Sequence, residues 1–562
     1  MIALLLVGGC SSNKSDPPKV DQPSAGSAAA RSGDLLGVST FQLAEGNAAS
    51  RAHFQRGLRA LHAFWYDEAI REFDAAIAAD PTLRMAYWGA AMSRIQVLWG
   101  HDDVTGARAI LAKTPNPEGL SPREQAWIGA TLALMNEGDD VPTSRKRFVA
   151  AMEDLDQAFP DDESKAFLAL ALLASLRPGD GDEVAVRKRA FALAMEVYKR
   201  NPLHPGAAHY AIHAYDTPTL ASGALEIAKA YAASAPAAFH ARHMPAHIFA
   251  RLGKWPEAIA SCQAAWDASV EAARHDRLSA DHEDFHSLNW LIEMNFELGH
   301  RKEADRALAT FAAAVTSGLS HEQRNQYALA ALSYLVRTSE WKRAGELLAP
   351  LAAPAVDAAG GSGHCGSGAS IPPSVNALLE QGAVIDVRAL AAAMLRDVPT
   401  TKRLVGEAEV VHAKWRIAAA AFEPPQAIAQ IDASYARRQR ALLARASNDD
   451  VALLAILREG VAGADAREAG GESVQSGSLV REQIADILLR QGKLTEAATE
   501  YARVLASHPG RAHSLLGAAR TAARDHDDVS ALALYKSLMV VWATADTDTD
   551  GLAEAKAKSM LP

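Results

Sequence analysis

Cysteine is nearly absent: Cys10, Cys262 and Cys365 are the only three in 562 residues. No disulfide framework can be built from them, and nothing in the sequence supports the one internal pairing, Cys262 with Cys365. Aromatics are scarce at 6% although hydrophobic residues reach 49%. Alanine and leucine make up the difference and favour helix over strand. The chain has no long basic run, and 57 basic residues stand against 67 acidic ones for a net charge of −10. That balance argues against a nucleic-acid surface and names no acidic partner. After the first few residues no stretch reaches the roughly 18 apolar residues of a membrane span. There is no P-loop, no G-x-G-x-x-G after a strand and no G-x-S-x-G elbow, so nucleotide-dependent and serine-hydrolase chemistry have no support.

What is present is organised as repeats. The chain is too long for one compact core, which predicts a multi-unit or extended architecture. Residues 1–10 read Met-Ile-Ala-Leu-Leu-Leu-Val-Gly-Gly-Cys. This segment resembles the lipobox of bacterial lipoproteins. The resemblance implies cleavage before Cys10, lipid on its thiol and a chain facing the periplasm from the bacterial envelope, with membrane contact through that lipid alone. The plain alternative is a frayed apolar terminus. Residues 11–40, rich in Ser, Asp, Pro, Gly and Ala, suit a flexible tether.

Helical pattern starts near Ala49. Gly57, Ala69, Phe73, Ala76 and Pro81 have the spacing of a tetratricopeptide (TPR) repeat, a helix–turn–helix of about 34 residues whose small residues sit where its helices touch. The frame returns at 84–98, more weakly within 121–178, then at 205–238, 239–272, 285–318 and 325–350, and again at 478–511 and 512–545. The chain therefore resembles the TPR superfamily. The segments Phe54–Tyr66, Ala86–Met92 and His243–Gly253 also look like a poorly characterised group of bacterial TPR proteins, which implies the fold and no activity. The expected fold is all-α, a right-handed solenoid of TPR-type helical hairpins. An N-terminal solenoid spans 41–350, a Gly/Pro-rich loop 351–374, an irregular helical region 375–468 and C-terminal repeats 478–545, with the loop able to join two lobes.

Histidines mark the middle of the array: His209 and His213 with Asp216; His240, His243 and His247; His286 with Asn289 and Glu293. In the geometry carried over from TPR proteins all of these face the concave groove in three adjacent repeats. Residues four apart on a helix are neighbours, and packed helices lie roughly 8–10 Å apart. Two imidazoles on one helix and a third ligand from the next could then hold Zn, Cu, Ni or Fe. The same groups, partly protonated, could hold an anion. Any one of them read alone is an ordinary polar or packing residue. Pro245 makes its helix start late or kink, which threatens the pairing of His243 with His247. His282-Glu-Asp-Phe-His286 matches H-E-x-x-H, but the frame puts His282 in a connector and so disfavours a zinc protease.

His62 and Trp88 are further groove candidates for ligand or peptide contact, as is Met92, with packing as the alternative. Cys262 reads as a buried small hydrophobe, and His364-Cys365 as a solvated loop or a metal site. The expected function is a scaffold or binding protein that takes a protein or peptide in its concave groove, with or without a divalent metal. The rivals are a metal-dependent hydrolase or oxidoreductase using Glu293, Asp216 or Glu283 as base, and a purely structural assembly factor.

Overall fold

Each repeat writes its own apolar stripe and its own stop, so hairpin follows hairpin. The computed structural model describes residues 36–98, 101–136, 140–177, 182–356, 373–420, 425–469 and 476–560. Among these the fold is an all-α solenoid of helical hairpins. The one exception is a two-residue ladder, Ile95–Gln96 against His101–Asp102.

The first hairpin shows how sequence sets packing. Asn47 caps the Ala48–His62 helix by accepting from the Ser50 amide, which satisfies an end donor. The partner helix, Tyr66–Ala79, stops just before Pro81. Phe73 from that helix wedges between Gly57 and Gly89 on its two neighbours, and a Cβ on Gly89 would lie 2.2 Å from the Phe73 ring. Near the C-terminus Tyr501 and Gly517 repeat the same contact at the same spacing, with a Cβ 2.3 Å from the ring. Overpacked cores lose roughly 1–3 kcal/mol. Gly89→Ala is accordingly expected to lower the midpoint of thermal unfolding, and an unchanged midpoint would show that the wedge is not tight.

Two expectations change. The tether of 11–40 ends early: Leu36 is buried, and the Val38 amide donates to the Leu203 carbonyl at 2.8 Å. The chain also does not divide into two lobes at the Gly-rich loop. Residues 357–372, with His364 and Cys365, lie outside the described residues, as does Cys10. The Pro373–Met394 helix that follows packs directly on His321–Thr338. Val398–Ala419, Pro425–Ala446 and Asp450–Ala469 continue the array to the C-terminal repeats.

Those repeats fold back onto the middle of the chain. Trp255 Nε1 donates to the Gly510 carbonyl at 2.9 Å, Trp542 Nε1 to Glu297 at 3.2 Å, and the Asp546 amide to Gly299 at 2.9 Å. Gly253 has φ +68°, and a Cβ there would sit 2.0 Å from the Pro509 carbonyl oxygen. Only glycine permits both that backbone and that approach. The solenoid thus closes on itself. Its two largest apolar cores meet at Pro245–Arg251, where Ile248 belongs to one and Phe249 to the other.

Candidate metal centre

The histidines sit at this junction. The Pro205–Tyr215 helix carries His209 and His213 one turn apart. The next first helix breaks at Met244 into Phe239–His243 and Pro245–Arg251, with Pro245 in the first turn of the second piece, where its missing amide hydrogen costs nothing. The break does not separate His243 from His247: their Nε2 atoms are 3.0 Å apart. His286 opens the Phe285–Glu297 helix.

The imidazoles form two triads. In the first, the Nε2 atoms of His213 and His240 each lie 3.1 Å from that of His209. In the second, nitrogens of His243, His247 and His286 come together, and in each triad the three ligand atoms are within 4.8 Å of one another. Tetrahedral zinc with bonds near 2.0–2.1 Å holds its nitrogens roughly 3.3 Å apart, so the rings need shift little to accept an ion.

Hydrogen bonds on the far nitrogens decide the tautomers. His209 Nδ1 is 2.7 Å from the His62 carbonyl, which can only accept, so Nδ1 carries the hydrogen. His247 Nδ1 donates to Asp216 Oδ2 at 2.8 Å. Ser287 Oγ donates to Asp284 Oδ2 at 2.5 Å and therefore accepts from His243 Nδ1 at 2.9 Å. With Nδ1 held from behind, His209, His243 and His247 each turn Nε2 to the triad, a bare lone pair in the neutral ring. Lone pairs facing each other at 3.0 Å repel unless a cation lies between them. One proton can serve one such pair. His209 Nε2, with a single lone pair, cannot accept from both nitrogens that converge on it. Burial first, and then its neighbours' charge, hold His213, His240 and His243 well below the ordinary histidine range, and burial pulls His209 down to about 3. They are therefore neutral, as ligands must be.

No protein family and no curated protein matches this chain. Solved structures with a related helical trace include the APC/C hetero-tetramer Cut9–Hcn1, at 12% identity over 79% of this chain and 83% of that one with a TM-score of 0.28. Ypp1 is similar at 10% identity, covering 91% and 88%, with a TM-score of 0.31. The P58(IPK) TPR domain follows at 15% identity, covering 71% and 98%, with a TM-score of 0.18. The repeat fold itself is read from the hairpins described above.

Several expectations for individual residues are corrected by this geometry. The five histidines from His209 to His247 do not line an open groove: they are buried. Phe64 covers the first triad, with its ring 4.3 Å from His209, and Trp290 covers the second, 4.7 Å from His247. Asp216 is not among the converging atoms. Its oxygens hold His247 and, at 2.9 Å, Arg251 Nε, the position of a carboxylate that orients a ligand from behind. Glu293 turns to Arg337, 3.6 Å away. Trp88 is core, donating to Thr131 Oγ1 at 2.8 Å. His62 is not a groove residue. It bonds Glu163 at 2.8 Å and Tyr210 at 2.9 Å, with His204 on the other Glu163 oxygen at 3.3 Å. Glu163 also accepts from the Thr40 amide, and His204 Nδ1 from that of Ala207. His62, Glu163 and His204 bring their ligand atoms within 4.8 Å of one another as a third buried group, and the cluster holds His62, whose carbonyl orients His209. Asn289 stays near the second triad, one turn on from His286, and its Oδ1 has no hydrogen-bond partner among the described residues. His282 lies in the connector, as expected.

The supports were missed from sequence. Asp284 caps the Phe285–Glu297 helix by accepting from the Ser287 amide. Phe64 gave no signal, although at φ +55° it occupies a backbone region rare for a bulky residue.

Proposed function

We propose that this helical-repeat chain is a metalloprotein whose buried imidazole triads hold a divalent transition metal such as Zn, Cu, Ni or Fe. The observation that carries this reading is the convergence of imidazole nitrogens in two triads, with His209, His247 and His243 oriented from behind by a carbonyl, a carboxylate and a hydroxyl. Three nitrogens per ion leave a coordination position open, as catalytic sites do, and this supports a metal-dependent enzyme over a histidine groove presented to a partner. Metal analysis of protein purified without a histidine tag should find stoichiometric metal, and metal-free wild-type protein would end this reading.

A partner-binding role is supported by a separate feature. A cavity of about 550 Å³ lies among the Pro373–Met394, Val398–Ala419 and Pro425–Ala446 helices, walled by Leu378, Val411, Trp415, Ile431 and Tyr435. Apolar walls with a few polar groups suit a peptide side chain or small ligand. The envelope anchor at Cys10 also stands as a proposal. Cys10→Ser is expected to release the protein from the membrane fraction, and unchanged association would refute the anchor.

A further inference from the structure

Nothing separates the two triads. Within the first, the His213 and His240 ring centroids are 6.3 Å apart. Across the boundary His240 and His243 are 6.2 Å apart, and His213 and His247 are 6.5 Å apart. The gap between the sets is about equal to the spread inside one. The backbone ties them as well. His240 and His243 are one turn apart on the same short helix, one in each triad. Asp216 ends the helix that carries His209 and His213 and holds His247 of the other set.

A ring centroid lies roughly 3 Å from a metal bound through Nε2. Rings at these separations can face two ions spaced like known two-metal sites, about 3.5–4 Å apart. The donor set narrows the chemistry. All six donors are imidazoles and neither triad contains a carboxylate. Asp216, which holds His247 from behind, also faces Arg251. Two cations here must draw their neutralising charge from a small ligand brought in from outside, and each triad has an open position for it. Among metals suited to imidazole, copper binds tightest.

We infer that the two triads together hold a pair of copper ions facing each other, joined by one small exogenous bridging ligand such as hydroxide. This rests on the metal reading above. The approach runs past His286 and Trp290, the half-buried side of the cluster, where Trp290 lies 5.0 Å from His243.

To test the pair, the untagged full chain is stripped with chelator, loaded with Cu²⁺ and desalted. Copper is then counted and its electron-spin signal integrated. Two coppers per chain are expected, with a spin signal far below one per chain, because bridged Cu²⁺ ions couple antiparallel. One copper with one full spin would overturn the pair and leave the metal centre standing. Two coppers with two full spins would overturn the bridge. No retained copper, and no zinc on parallel loading, would overturn both readings. His213→Ala is expected to keep one copper and regain a full spin. If that variant does not fold, the wild-type count and spin decide alone.

Discussion

Replacing Asp216 with alanine is expected to destabilise the central hairpins by about 3–5 kcal/mol, the usual cost of removing one partner from a buried ion pair. It should also weaken metal retention about 10–100-fold, as loss of an orienting partner does. Asp216 and Arg251 are both buried, 2.9 Å apart between Oδ1 and Nε. Burial alone would raise the Asp216 carboxyl, but Arg251 and then His247 outweigh it and hold it below the ordinary carboxylate range. The carboxylate is therefore charged, and without it the guanidinium is left in a dry site beside His508 Nε2, 3.4 Å away across the closure. Native-state hydrogen exchange over Pro205–Tyr215 and Pro245–Arg251, measured without metal, reads the first effect. Metal competition with a chelator reads the second. The double variant Asp216→Ala, Arg251→Met separates them: removing both charges should recover most of the stability and none of the metal affinity. If Asp216→Ala exchanges like wild type, Asp216 does not hold the site.

Arg511→Ala is expected to open the closure of the array, with a loss of about 3–5 kcal/mol in the docking of the C-terminal repeats. Arg511 is fully buried. Its Nε and Nη2 donate to Glu482 at 2.7 and 2.9 Å, and its Nη1 lies 3.3 Å from Glu297. Glu297 also accepts from the Ala512 amide at 2.8 Å. Alanine would leave two buried carboxylates without their shared cation. The pH dependence has a fixed sign. Burial raises the Glu482 carboxyl, but Arg511 and then His513 overcome that and hold it well below its unfolded value of 4.5. The unfolded chain therefore binds the proton first. The stabilisation is fully present above pH 4.5 and is lost as pH falls below that toward the depressed folded value. Hydrogen exchange of Ala512–Arg524 should rise in Arg511→Ala at neutral pH and show a flatter acid response than wild type. Equal protection in both proteins would mean that the closure rests on its backbone bonds and tryptophans alone.

The hairpins were legible because their determinants are local. Phe73 with Gly57 and Gly89, and Pro81 after the second helix, fix one repeat within a few dozen residues, and Tyr501, Gly517 and Pro509 fix another in the same way. The histidines were legible as a set for the same reason, since spacings of three and four residues are a property of one helix. Their exposure was not. Groove positions in an open superhelix face solvent, but here Phe64 and Trp290 cover the imidazoles. Both of those contacts depend on how neighbouring hairpins pack.

Sequence alone determined that this chain is a helical-repeat array with its histidines gathered in three consecutive first helices. Periodicity and turn residues act over short range, so they survive in the one-dimensional record. Only the tertiary structure decided which histidine nitrogens are donors and which are bare, that Asp216 and Ser287 stand behind the ligands rather than among them, and that the C-terminal repeats return to the middle. Each of those outcomes is a hydrogen bond or ion pair between residues far apart in the chain, whose partners no local pattern names.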